Sequence, residues 1–177
     1  MPAFRRMAIK PSASPLVVAG WSIFARSLFL DQIDALIAEV ERLREKHPVD
    51  YVNRNATKRL TAIAQLAFET IPEDPARQEY RQGTALGKQH KHWFRAVFFQ
   101  QYRLFFRYRH DVKIIVLAWV NDADTKRAYE SNSDAYRVFR KMLGSGHPPD
   151  DWDALLAQAS AATSRLRQAA GKIKKRR

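Results

Sequence analysis

Apolar residues recur at helical spacing twice in the first half of the chain. Phe29, Ile33, Leu36, Ile37, Val40 and Leu43 share one face, with Glu39, Glu41, Arg42, Arg44, Glu45 and Lys46 opposite. Ser27 stands where a cap is expected, and Pro48 ends this helix near His47. Ala56, Leu60, Ile63, Ala67 and Ile71 mark a second helix, with Asp50 or Asn53 as its cap and Pro72 as its end. The short connection predicts an antiparallel helical hairpin. Ahead of it, Leu16–Phe24 is β-rich behind Pro15 and reads as one strand, with Gly20 marking a bend.

The period then changes to that of strands. His92–Phe99, Tyr102–Arg109 and Val112–Val120 are rich in aromatic and β-branched residues, and Gln100–Gln101 and His110–Asp111 suit tight turns. They predict an antiparallel meander. Val112–Val120 is apolar on both sides, which predicts a central, buried strand. Strict alternation puts Val112, Ile114, Val116 and Ala118 on one side and Ile115, Leu117 and Trp119 on the other. The expected fold is α+β: a mostly antiparallel four-stranded sheet with the helical hairpin on one side.

Residues 72–91 read as a loop with a short helix after Pro75. A helical stretch capped by Asp122 or Asp124 is expected to carry Tyr136, Phe139, Met142 and Leu143 and to end at Gly144. Pro148, Pro149 and Asp150 are expected to open a final helix through Ala154, Leu155, Leu156 and Leu166. This organisation predicts a basic arm over residues 1–14, one domain over 15–153, and a C-terminal helix and tail over 154–177. Seven cations and no acid lie between Arg165 and Arg177, which predicts a solvated end.

Charge narrows the function. The chain has 177 residues, with 31 Lys and Arg against 18 Asp and Glu, a formal net charge of +13. A polyanionic partner is the expected consequence. The absence of cysteine excludes disulfides, thiolate catalysis and thiolate metal sites, and suits a reducing cytoplasm. No apolar run approaches the length of a membrane span. Phosphate-binding glycine loops, a Ser-His-Asp order and zinc-finger spacing are all missing.

The densest chemical signal is Trp93–Asp111, WFRAVFFQQYRLFFRYRHD. In a strand, Arg103, Phe105, Arg107 and Arg109 share one face, and Tyr102, Leu104, Phe106 and Tyr108 share the other. Arginines at two-residue spacing are either solvated or hold phosphates. Arg95, on the neighbouring strand, extends the surface. Such a surface suits RNA cleavage by internal transesterification: the 2′-hydroxyl attacks phosphorus, a base accepts its proton, an acid protonates the leaving oxygen, and cations stabilise the developing charge. Arginine fills the last role and is a poor proton carrier. His90 and His92, beside Lys88 and Lys91, are candidates for proton transfer, because imidazole is the side chain that ordinarily titrates nearest neutrality. A His-x-His pair is also a possible metal half-site, but no carboxylate lies close in sequence to complete it. Tyr129 and Tyr136, near Lys126, Arg127, Arg137 and Arg140, suit base stacking or proton transfer, or packing with the phenol at the rim.

Several longer segments occur together: GW at Gly20–Trp21, YRLFFRY at Tyr102–Tyr108, IIVLAWVNDADTKRAY at Ile114–Tyr129, DAYRVFRKML at Asp134–Leu143 and GHPPDDW at Gly146–Trp152. In these the chain resembles the YhaV toxin family over roughly residues 19–153. The resemblance implies a RelE-like fold and metal-independent mRNA cleavage in the ribosomal A site, without a cofactor. It also implies neutralisation by a PrlF-type, AbrB-like antitoxin, the pair repressing its own operator DNA. Carried over by position, Arg103 is the arginine at the scissile phosphate and Tyr129 a tyrosine of the site. The strand where RelE-like enzymes use lysines has Arg95 instead, so Lys88, Lys91, His90 or His92 would supply proton transfer. Lys126 or Arg127 stands in for an arginine after the buried strand. Two other readings are a non-catalytic ribosome or rRNA binder and a gyrase poison, since one fold hosts several activities.

Overall fold

The computed structural model describes residues 14–122 and 134–175. It opens on a hairpin of β1, Leu16–Val18, and β2, Trp21–Ala25. Ala19 at φ 51° and Gly20 at φ 82° form the two-residue turn. Two successive left-handed residues match the twist of paired strands, so the stretch expected as one strand folds back on itself. This accounts for a fifth strand.

Helix α1 is Ser27–Lys46 and buries Phe29, Leu30, Ile33, Leu36, Ile37 and Val40. Arg26 occupies the cap position, so Ser27 lies inside the first turn and does not cap. Pro48 biases His47 away from helical backbone, and the helix stops there as expected. Helix α2, Asn55–Gln65, follows Arg54. Neither Asp50 nor Asn53 caps it; Asp50 pairs with Arg54 at 2.9 Å. The helix runs on through one π-turn, Leu66–Thr70, into Ile71–Glu73. The wider turn lies just before Pro72, whose ring cannot fit against a normally placed carbonyl four residues back.

The sheet order is β1-β2-β5-β4-β3, with β3 at Phe94–Phe98, β4 at Tyr102–Arg109 and β5 at Ile114–Val120. Strands β3, β4 and β5 form the expected meander, and β5 is central and buried. Strand β2 lies parallel to β5, from Ser22 opposite Ile114 to Ala25 opposite Leu117. The sheet is therefore five-stranded and mixed. The helical hairpin between β2 and the meander supplies the long crossover that a parallel pair needs. Where β2 ends, Gln32 of α1 takes its place: its Nε2 donates to the Val120 carbonyl at 2.6 Å, and its Oε1 accepts from the Val120 amide at 3.3 Å.

A bulge on β5 changes which side chains share a face. Phe105 pairs with Trp119 and Phe106 with Leu117, leaving Ala118 as the extra residue. Trp119 therefore joins Val116 and Ala118 instead of Ile115 and Leu117.

Helices cover both faces, not one. Against the first face, α1, α2 and a last helix, α5 (Thr163–Lys174), enclose a core in which Leu166, Ala169 and Ile173 are buried. Against the second lie α3, Ala135–Gly144, and α4, Trp152–Ser160, with Phe139, Leu143, Leu155 and Ala159 packed on Phe105, Val116 and Trp119. Asp134 caps α3 by accepting from the Arg137 amide at 2.9 Å, the role expected of Asp122 or Asp124; Asp124 lies outside the described residues. Asp151, not Asp150, caps α4. The expected single C-terminal helix is two; its apolar stripe is docked, Lys172, Lys174 and Lys175 are exposed, and two of its cations reach across to other elements. Arg165 reaches Asp31 at 2.8 Å and Asp34 at 3.0 Å on α1, and Arg167 donates to the Ser14 carbonyl at 3.2 Å.

Candidate active site

The second face carries Arg103, Phe105, Arg107 and Arg109 of β4, as alternation predicts, with Arg95 of β3 beside Phe105. The arginines do not meet at one point. Four residues of strand, about 13 Å, separate Arg103 from Arg107. Between them lies an aromatic column: Phe105 stacks on Phe139 at 4.3 Å, and Trp93 meets Phe139 edge-on at 5.1 Å.

At one end of the column, Arg95 and Arg103 share Tyr136. Arg95 Nε donates to the Tyr136 hydroxyl at 2.8 Å, and its Nη1 donates to the Glu79 carbonyl. Both acceptors are uncharged, so the guanidinium keeps its full charge for an anion. The Arg103 guanidinium lies 5.1 Å from the Tyr136 ring centre, in cation–π range. Arg103 is only 9% exposed, so it presents an edge rather than a free side chain. Asn121 fixes its backbone: Oδ1 accepts from the Arg103 amide at 2.6 Å, and Nδ2 donates to the Gln101 carbonyl at 3.0 Å.

At the other end, Asp150 gathers four residues. Its Oδ1 lies 3.1 Å from His90 Nδ1 and 2.8 Å from His92 Nε2, and it accepts from Trp93 Nε1 at 3.0 Å. Its backbone carbonyl accepts from Arg107 Nη1 at 2.7 Å. Arg107 in turn lies over the rings of Trp93, at 5.4 Å, and Trp152, at 5.2 Å. Burial pushes the Arg107 guanidinium below its ordinary value, against the opposing pull of Asp150 and Asp151. Burial pushes the Asp150 carboxyl up, but hydrogen bonds from Trp93, His92 and His90 outweigh it and leave the group below the usual carboxylate range. An ionised Asp150 can only accept, so it selects one tautomer of each imidazole. In its neutral form each ring then turns a proton to the carboxylate, His90 from Nδ1 and His92 from Nε2, and neutral His92 presents its Nδ1 lone pair. Gln82, 8% exposed, holds the loop from beneath: Nε2 donates to the His90 carbonyl at 2.8 Å, and Oε1 accepts from the Leu86 amide at 3.0 Å.

The remaining candidates spread around this centre. Lys88 and Lys91 are exposed on the same turn as the histidines. Arg109 is engaged by Asp111, Nε to Oδ1 at 3.1 Å, which lessens its value for RNA. Lys126, Arg127 and Tyr129 lie outside the described residues. Tyr136 has the rim phenol expected of it, and also joins two arginines. The sequence reading missed Asp150, which lies 58 residues beyond His92. Its one signal was its place inside GHPPDDW. Among the described residues, His90, His92 and Asp150 are the one group of three whose ligand atoms, all within 4.8 Å of one another, suit a metal ion.

Taken together, these features define a basic α+β domain whose second sheet face brings arginines, histidines and one ordered carboxylate to the surface. Residues 23–160 match the YhaV toxins, a family described as toxins with endonuclease activity of toxin–antitoxin systems. The ribonuclease toxin YhaV of Escherichia coli (strain K12) and the toxin YhaV of Escherichia coli O6:H1 are each 44% identical over 143 residues, covering 80% of this chain and 93% of theirs. No solved structure gives a significant match. The chain belongs to the YhaV toxin family, and is an endonuclease toxin of a toxin–antitoxin system.

Proposed function

We propose that this toxin cleaves mRNA on the ribosome by 2′-hydroxyl transesterification, with His92 and Arg107 at the reacting phosphate and Arg95 and Arg103 on a neighbouring one. One observation carries the assignment: Asp150 contacts the His92 imidazole through its carboxylate and the Arg107 guanidinium through its backbone carbonyl, on a chain of net charge +13. A base must come within hydrogen-bond reach of the proton it takes. His92 Nδ1 accepts the 2′-hydroxyl proton, and Asp150 stabilises the imidazolium that forms. Arg107 stabilises the charge that develops on the phosphorane oxygens. The proton for the leaving 5′-oxygen comes from Tyr129, by its place in the family pattern, or from Lys91. Trp152, beside Arg107, offers a ring on which an unstacked base can rest. The family relationship supports an RNA substrate, a PrlF-type antitoxin and operator binding by the toxin–antitoxin pair.

The test is kinetic. His92→Gln and Arg107→Ala should each lower kcat by on the order of 100-fold or more, with circular dichroism unchanged. Arg103→Ala should act mainly on KM. If Arg103→Ala instead lowers kcat while His92→Gln has no effect, the reacting phosphate lies at the Tyr136 end. Primer extension on mRNA from induced cells should show new 5′ ends. Translation arrest without new ends would overturn the nuclease reading in favour of a passive ribosome binder.

A further inference from the structure

We infer that His90, His92 and Asp150 form a site for a zinc-class transition-metal ion, and that occupancy switches the nuclease off; the second clause rests on the function proposed above. His90 Nδ1 and His92 Nε2 approach Asp150 Oδ1 at 3.1 and 2.8 Å. All three ligand atoms lie within 4.8 Å of one another, and atoms about 2.0–2.2 Å from a tetrahedral ion are roughly 3.4 Å apart, so both rings must turn off the carboxylate and reorient around the ion to admit it.

The donor set selects the metal. Two imidazoles and one carboxylate favour zinc, nickel or copper over magnesium or calcium, which prefer oxygen. Arg107 at the Asp150 carbonyl and the exposed Lys88 and Lys91 repel any cation, so an ion is held here only through direct bonds to the imidazole nitrogens, which zinc, nickel and copper form far better than magnesium or calcium. Part of the outer support is built: Trp93 Nε1 donates to the carboxylate, Arg107 to the Asp150 carbonyl and Gln82 to the His90 carbonyl, so Asp150 and the His90 backbone are each held by a further residue. The His92 and Asp150 side chains are 37% and 42% exposed, which leaves a path for an ion and room for water at its fourth position.

The consequence for catalysis follows from the ring atoms. A metal on His92 Nε2 displaces the proton held there, and the neutral ring then carries its proton on Nδ1. The lone pair assigned to the 2′-hydroxyl is lost, and so is the carboxylate that stabilises the imidazolium.

The experiment uses the full chain and zinc sulfate. Calorimetric titration after treatment with a zinc-selective chelator should give one ion per chain. His90→Gln and Asp150→Asn should weaken it at least tenfold, while His47→Ala, remote on the surface, leaves it unchanged. Magnesium should give no comparable binding. Cleavage is then measured in a reconstituted translation reaction, each protein compared with and without one equivalent of zinc. Wild-type cleavage should fall with zinc and return with the chelator, whereas the ratio for His90→Gln should stay near one. No zinc binding, or binding that survives both substitutions, overturns the site. Zinc binding that leaves cleavage unaffected, or that cleavage requires, overturns the switch. A chain that binds zinc as described yet cleaves nothing either in chelator or with zinc keeps the metal site and sinks the nuclease proposal.

Discussion

Arg26 is 8% exposed, and among the described residues its Nε and Nη1 atoms have no hydrogen-bond partner. Burial pulls its guanidinium below the ordinary value. An unsatisfied buried donor costs stability, so Arg26→Met, which keeps the stem and removes the charge, should raise the unfolding free energy by about 1 kcal/mol in urea. A loss of that size would mean that the guanidinium is held by something else. Asp150 makes the opposite case. Its folded carboxyl titrates below the ordinary value, so its contribution to stability is complete above about pH 4, the unfolded aspartate value, and is lost as pH falls below it. The urea midpoints of wild type and Asp150→Asn should therefore differ at pH 5 and converge toward pH 3.

The helices and strands were unequally legible. The hairpin of α1 and α2 and the meander of β3, β4 and β5 follow from local period alone, and both are present. The β1–β2 hairpin was hidden because Ala19, unlike Gly20, does not announce a left-handed backbone. Strict alternation places Trp119 with Ile115 and Leu117, the wrong face, because the bulge adds one residue and leaves no compositional trace. The docking of α5 was hidden by its cations: Leu166, Ala169 and Ile173 form a narrow apolar stripe within a very basic segment. Leu166→Ala should cost roughly 2–5 kcal/mol, a core-sized loss that a solvated tail would not show. Gln32→Ala, which removes both bonds to Val120, should cost about 1–2 kcal/mol and speed amide exchange at Val120 first.

For the molecule as a whole, charge and family resemblance pointed to the activity class before any geometry. The arrangement of the site did not follow from them. The arginines of β4 share a face as expected, yet Phe105 and Phe139 divide them into two groups, and the carboxylate that orders the histidines comes from a distant loop. Sequence spacing cannot report such contacts. The net charge of +13 should dominate affinity for single-stranded RNA, with the logarithm of the binding constant falling linearly against the logarithm of salt. If Arg95 holds one phosphate as proposed, Arg95→Ala should make that slope shallower by about 0.7.

The parallel pairing of β2 with β5 has a temporal corollary. Chains emerge from the ribosome N-terminus first, so the opening hairpin must wait for Ile114–Val120 before its sheet can close. Tyr136 and Asp150 arrive later still. The strand cations are therefore synthesised well before the carboxylate that His90 and His92 contact. If the proposed site is the catalytic one, a chain released upstream of residue 150 should bind RNA without cleaving it.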